Sequence, residues 1–204
     1  MKPTDVRVAD VSYTTDDYRY RTPIKFGGVA LDKATVLTAR VTVEDRQGRR
    51  AEGVGSMPLS NVWAFPSRTL GYDQTLGAMT ALVDVFRDTT AAHAGFGHPI
   101  EIGHDLEPRF LAHLEPVRAR LGIGEPIPVL AALVAASPFD AALHDGYGKL
   151  LGRSVYQCYG PEYLTTDLGH YLGAEFAGRT LDRYVLPAPK ARKPLYHLVG
   201  AGRT

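Results

Sequence analysis

The chain has a single cysteine, Cys158, in 204 residues, so no intrachain disulfide can hold it together. It has no run of about 18 apolar residues, the minimum for a membrane span, and its start, Met1-Lys2-Pro3-Thr4-Asp5, lacks the apolar core of a secretion signal. It also lacks charge of one sign. With 23 basic and 22 acidic residues and a net charge of +1, there is no electrostatic footprint for nucleic-acid phosphates or anionic lipid. These absences predict a soluble, cytoplasmic protein with neither nucleic acid nor membrane as partner. What is present is ordinary for a folded domain: 45% hydrophobic and 22% charged residues, enough for a core and unlike a disordered chain. The length lies between one domain and two.

Val6, Val8, Val11 and Tyr13 alternate with one slip after Val8, which predicts a strand with a bulge. Thr14–Gly28 breaks the period with paired acids, Pro23 and Gly27-Gly28, the composition of a long loop. Ala34–Glu44 alternates cleanly, with Leu37, Ala39, Val41 and Val43 on one face. The turn Asp45-Arg46-Gln47-Gly48 then returns the chain as a third strand over Arg50–Ser56. After an irregular stretch, Met57–Leu70, the period changes to 3.6. Leu76, Met79, Leu82, Val83 and Phe86 form one helical stripe, and Leu106, Phe110, Leu114, Val117 and Leu121 a second. His93–His104 links the two, and Asp105 is placed to cap the helix starting at Leu106. A third helical run covers Val129–Leu151, with Ser137-Pro138-Phe139-Asp140 as a cap and restart inside it. The fold expected is α+β: a three-stranded antiparallel meander followed by about three helices. Residues 160–190 read as mixed loop, and Lys193–Val199 as a short apolar strand.

Several motifs fail on context. Gly146-Tyr147-Gly148-Lys149 would end a helix, whereas a phosphate cradle opens one, and Gly152 reads as the helix stop. Ser56, in Gly53-Val54-Gly55-Ser56-Met57, lacks the Gly-x-Ser-x-Gly turn of an exposed nucleophile. Glu101, His104 and Asp105 with His93, His98 and His113 have no recognised metal-ligand spacing.

Ser137–Gly160, SPFDAALHDGYGKLLGRSVYQCYG, is more specific. It resembles the enolase superfamily, in the branch of mandelate racemase and muconate-lactonising enzyme. There a helix of the form Asp-x-Ala-Leu-Trp-Asp-x-x-Gly-Lys-x-x-Gly-x-Pro-Val-x-x-Leu-x-Gly closes the N-terminal capping domain. Asp140, Ala142, Leu143, Asp145, Gly148, Lys149, Gly152, Val155 and Gly160 match it, while His144 stands for tryptophan and Ser154 for proline. The order of strands, loops and helices is similar too, and Thr22–Gly27 looks like that family's first mobile loop. The resemblance covers roughly residues 5–160, so residues 1–160 are expected to form a capping domain, and 161–204 a linker with the first strand of an incomplete barrel.

Asp140 and Asp145 are five residues apart, about 500° around a helix, too far for a catalytic carboxylate pair. They are expected to cap and to make interdomain hydrogen bonds, with Lys149 lying over apolar surface. The resemblance assigns substrate selection to two loops, represented here by Tyr18, Arg19, Tyr20, Arg21 and Lys25 and by Ser56, Met57, Ser60 and Trp63; a solvated loop anchored by aromatics is the alternative. It further implies proton abstraction next to a carboxylate in a small acid, by a racemase, epimerase, dehydratase or cycloisomerase (an isomerase or lyase). The enediolate would rest on magnesium, with the base and the metal carboxylates supplied by barrel strands. A barrel takes about 200–250 residues, and only residues 161–204 follow the motif. The chain is accordingly expected to be the start of a longer enzyme, with no catalytic or metal-binding residue of its own. The alternative is a non-catalytic binding module, or a partner for a separate barrel. The apolar run Leu195, Tyr196, Leu198 and Val199 is expected to favour self-association.

Overall fold

A computed structural model describes residues 1–26 and 29–196, apart from the side chain of Phe26. Three antiparallel strands come first, in the order β1 (Val6–Phe26), β2 (Val29–Asp45) and β3 (Arg50–Pro58). The helices follow: α1 (Asn61–Ala64), α2 (Tyr72–Ala91), α3 (Pro99–Ala112), α4 (Leu114–Arg120), α5 (Val129–Leu151) and α6 (Leu168–Leu172). This is the expected α+β meander and helices. None of the described helices is long and apolar enough to cross a membrane.

The bulge falls where the alternation slips, between Val8 and Asp10. Gly48, at φ 78°, makes the tight turn from β2 to β3. Thr14–Phe26 is not a loop. The strand continues through it, pairing Tyr18 with Ala34 and Arg19 with Lys33, then Ile24 with Leu31 and Phe26 with Val29 across a second irregularity. Gly27 and Gly28 lie outside the described residues. The alternation is missing for a physical reason. β3 pairs β2 only from Val36 to Glu44, so β1 and β2 run on as a two-stranded ribbon with both faces mostly in water. A strand without a buried face has no apolar period to read.

Leu37, Ala39, Val41 and Val43 are fully buried and share one core with Met79, Leu82, Val83 and Phe86 of α2, with the small-residue face of α5 packed on β2 and β3. α5 meets β3 at backbone distance. A Cβ built on Gly53 would stand 2.0 Å from the Ala142 carbonyl oxygen, and one on Gly55 2.1 Å from that of Pro138. The Gly-x-Gly of β3 is therefore a seat for a helix.

The helix boundaries depart from the periodicity in three places. α3 begins at Pro99, capped by His98, so Asp105 sits within the helix and caps nothing. The second stripe is split into α3 and α4 because Pro116 has no N–H to give the Ala112 carbonyl. α5 runs through Ser137-Pro138 without a restart. Pro138 leaves the Val134 carbonyl without its helical donor, and the Ser137 hydroxyl supplies one at 3.1 Å. α5 ends at Gly152, φ 63°, as expected. Beyond it, Tyr163, Leu164 and Leu168 are buried. Lys193–Tyr196 form no strand, since no neighbouring strand offers them hydrogen bonds, and His197–Val199 lie outside the described residues.

Candidate functional site

The ribbon and the connection after β3 meet in a hollow of about 360 Å³ lined by Tyr20, Ile24, Lys33, Ser60, Trp63 and Tyr72 among others. Local bonds hold its floor. The Leu59 N–H donates to the Thr35 carbonyl at 2.9 Å. Asn61 Nδ2 donates to the Tyr72 carbonyl and to Thr75 Oγ1, both at 2.9 Å, tying α1 to the start of α2. Ser60 turns the chain into α1 with φ 46°, a left-handed conformation uncommon for a residue with a side chain. Lys33 Nζ lies 5.0 Å from the centre of the Tyr72 ring and 3.8 Å from Asp73 Oδ1. Trp63 is 48% exposed, which leaves an aromatic face open to a ligand. The hollow thus offers aromatic walls and one ammonium group, suited to an apolar body carrying an acceptor or a negative charge.

Of the nine loop residues singled out in the sequence, Tyr20, Ser60 and Trp63 line this hollow. Tyr18, Arg19, Arg21 and Lys25 stand exposed on the ribbon. Ser56 and Met57 point elsewhere: Ser56 Oγ meets Thr38 Oγ1 across the sheet at 3.1 Å, and Met57 is half-buried with its sulfur 2.9 Å from Ser137 Oγ. Among the lining residues that sequence reading missed are Lys33, Asn61 and Tyr72. Lys33 had a signal, its place one strand across from the singled-out Arg19; Asn61 and Tyr72 had none.

The α5 motif residues are placed for structure. Asp145 Oδ2 accepts from the Val54 N–H at 2.8 Å and lies 2.7 Å from Lys149 Nζ. Burial raises the Asp145 pKa, but the bonds from Lys149 and Val54 outweigh it and hold the carboxyl below its ordinary range. Lys149 Nζ also donates to the Glu52 carbonyl at 3.1 Å. Asp140 is directed away from this pair, 3.7 Å from His144 Nε2. A Cβ on Gly148 would come 2.9 Å from the Arg153 carbonyl oxygen.

The histidines are spread through the structure. His98 uses both ring nitrogens: Nδ1 accepts from the Ile100 N–H at 3.1 Å and Nε2 donates to the Cys158 carbonyl at 2.9 Å. His144 Nδ1 is 3.1 Å from the Tyr159 hydroxyl, and His113 Nε2 is 2.9 Å from Thr89 Oγ1. Among the described residues, no group of three or more His, Cys, Asp or Glu side chains is arranged to hold a metal ion.

No protein-family profile and no curated protein matches the chain. Solved structures do. One is an enolase from Bradyrhizobium complexed with magnesium and mandelic acid, 17% identical over 74% of this chain and 34% of that one, with a TM-score of 0.41. Another is L-talarate/galactarate dehydratase from Salmonella typhimurium LT2, 17% identical over 75% and 33%, TM-score 0.41. A third is a dipeptide epimerase from Enterococcus faecalis V583 with magnesium and L-Leu-L-Tyr, 13% identical over 76% and 35%, TM-score 0.39. This chain spans about a third of the length of each.

Proposed function

We propose that this chain is the capping portion of a metal-dependent enzyme of the enolase superfamily, and that it selects a small carboxylic-acid substrate by the part of that substrate remote from the reacting carbon. The observation that carries the reading is the hollow itself. The two segments that the sequence resemblance assigns to substrate selection meet there, through Tyr20 and Ile24 from one and Ser60 and Trp63 from the other. The α5 string adds support, because its residues seat β3 and so hold the meander from which both segments extend.

Magnesium would polarise the substrate carboxylate and stabilise the enediolate formed when the neighbouring carbon loses its proton. The residues described here do not fit such an ion, since no carboxylate cluster is present and the half-buried Asp145 carboxylate is bound to Lys149 and a backbone N–H. No catalytic step is assigned to this chain. Its part is binding: Trp63, Tyr20 and Tyr72 pack on the distal group and exclude water from it, and Lys33 offers it a positive charge.

Sequencing the transcript across the Thr204 codon tests the premise. A continuation with a Lys-x-Lys strand and spaced acidic residues supports it; a stop codon with no barrel encoded nearby favours a binding module. In a longer enzyme so identified, magnesium-dependent exchange of the proton next to the carboxylate should persist in Trp63→Ala, with altered preference among acids that differ only in their distal group. Unchanged preference would remove the hollow from the reading while leaving the family assignment standing.

A further inference from the structure

We propose that the outer edge of β1, from Thr15 to Arg21, pairs antiparallel with the same segment of a second copy of this chain, about a two-fold axis through Tyr18. β1 is an edge strand of the sheet. Val6 exchanges backbone hydrogen bonds with Gly97; beyond it, among the described residues, no backbone bond reaches β1 from outside its ladder with β2. Thr14–Lys25 is exposed throughout. The opposite edge of the sheet is closed by side chains: on β3, the Val54 N–H donates to Asp145 and the Glu52 carbonyl accepts from Lys149. The β1 edge is left open over a stretch long enough to template another strand.

The residues of that stretch, Thr15-Asp16-Asp17-Tyr18-Arg19-Tyr20-Arg21, select the partner. An edge guarded against association carries charges of one sign, which a copy of itself repels. Here two acids precede Tyr18 and two arginines follow it, so a copy running the other way presents the opposite sign at each place. Opposed residues of an antiparallel pair must lie on the same face. With Tyr18 opposite Tyr18, Asp17 faces Arg19 of the second copy on both sides of the axis, while Asp16 faces Tyr20 and Thr15 faces Arg21. Sliding one strand by two residues sets Asp17 against Asp17 in one direction and Arg19 against Arg19 in the other, and like charges directly opposite are destabilising. The charges thus fix one register. Among the described residues, Asp16, Asp17, Arg19 and Arg21 belong to no ion pair. Their one side-chain hydrogen bond runs from Thr35 Oγ1 to Asp17 Oδ1 at 2.5 Å, which leaves Oδ2 for an arginine. Pro23 has no N–H to offer, so the pairing stops there. The contact is isologous, so two copies satisfy it and it does not propagate. It is made by the backbone at the strand's outer side, whereas Tyr20 and Ile24 line the hollow, which stays open to a ligand.

The test uses the full chain. Sedimentation equilibrium over a concentration series should give a dimer for the parent, weakened by salt. Asp17→Arg and Arg19→Asp, both at exposed positions, should each weaken it more than about tenfold, because both ion pairs across the axis then become like charges; circular dichroism confirms that each remains folded. An equimolar mixture of the two variants should dimerise again, since two arginines in one copy meet two aspartates in the other. So should the chain carrying both substitutions, in which the charges are merely exchanged. Tyr18→Cys, on the axis, should be joined to its own copy by a short bismaleimide, while the parent, whose Cys158 is buried, should not. A parent that is monomeric throughout overturns the proposal. So do single variants that dimerise like the parent, a mixture or a double variant that stays monomeric, and a Tyr18→Cys dimer that does not crosslink. Should a single variant unfold, the double variant and the crosslink decide.

Discussion

His98 makes the fold sensitive to acid in a way that can be worked out from two hydrogen bonds. It caps α3 through Nδ1, which accepts the Ile100 N–H, while Nε2 donates to the Cys158 carbonyl. Only the neutral ring with its proton on Nε2 satisfies both. A second proton would sit on Nδ1, against an N–H, and abolish the cap. Burial, helped by the nearby His144, lowers the pKa from 6.5 to about 4. The unfolded chain therefore binds more protons than the folded one between those two values, and stability falls as pH drops through that window. Below about pH 4 both states are protonated and the loss is complete. At 1.36 kcal/mol per pKa unit the total is about 3 kcal/mol, a large share of a typical domain's stability. Urea unfolding from neutral pH down to about pH 4, in the parent and in His98→Asn, measures it. Asparagine keeps a capping acceptor but does not titrate, and it leaves the Cys158 carbonyl without its donor. It should cost about 1–3 kcal/mol at neutral pH and lose about 3 kcal/mol less than the parent on acidification. Parallel pH–stability curves would refute the reasoning.

Gly55→Ala should destabilise by about 3 kcal/mol or more in thermal melts, because the new methyl would meet the Pro138 carbonyl oxygen at 2.1 Å and only a shift of α5 relieves it; a melt matching the parent would mean that α5 does not lie on β3. Leu143→Asp puts an unpaired charge where the side chain is 1% exposed and should cost about 4 kcal/mol. A variant melting within a degree or so of the parent would place Leu143 in water. Asp145→Ala frees the Val54 N–H and the Lys149 ammonium together and should cost about 1 kcal/mol by urea unfolding, with faster hydrogen exchange at Val54; unchanged exchange there would deny the contact.

The legible parts of this fold are those with a one-sided environment. Leu37, Ala39, Val41 and Val43 declare their strand because one face is buried and the other wet, and α2 declares itself by the same logic at a different period. The ribbon was illegible because it extends beyond the third strand, where Tyr18, Arg19 and Arg21 have no core to face. The cap at His98 was missed because histidine is an uncommon N-cap, and its acceptor nitrogen is available only when burial keeps the ring neutral. Ser137-Pro138 carried a true signal with two outcomes. Serine before proline can open a helix, or it can repair one from within, and only the free Val134 carbonyl distinguishes them. Three of the nine loop residues came together in the hollow. Lys33 was missed because the segment carrying its cross-strand partner Arg19 read as a loop, so no register could be counted, and Tyr72 because it reaches the hollow from the start of α2.

The string on α5 marks an architecture more directly than a chemistry. Ala142 and Gly146 carry almost no side chain, so the helix backbone can lie against Gly53 and Gly55. A larger residue at any of these four positions would lift the helix off the sheet. Asp145 and Lys149, one turn apart, then take up the outward N–H of Val54 and the carbonyl of Glu52, which would otherwise be open valences of an edge strand. Their carboxylate and ammonium also neutralise each other at 2.7 Å, so neither is left free to move a proton. Small residues to approach, an acid and a base to close the edge, and Gly152 to stop the helix are together sufficient to explain why these residue types occur at this spacing. The proposed selection of a ligand therefore falls to residues not occupied in this way, the exposed aromatics Tyr20 and Trp63 and the Lys33 ammonium beside them.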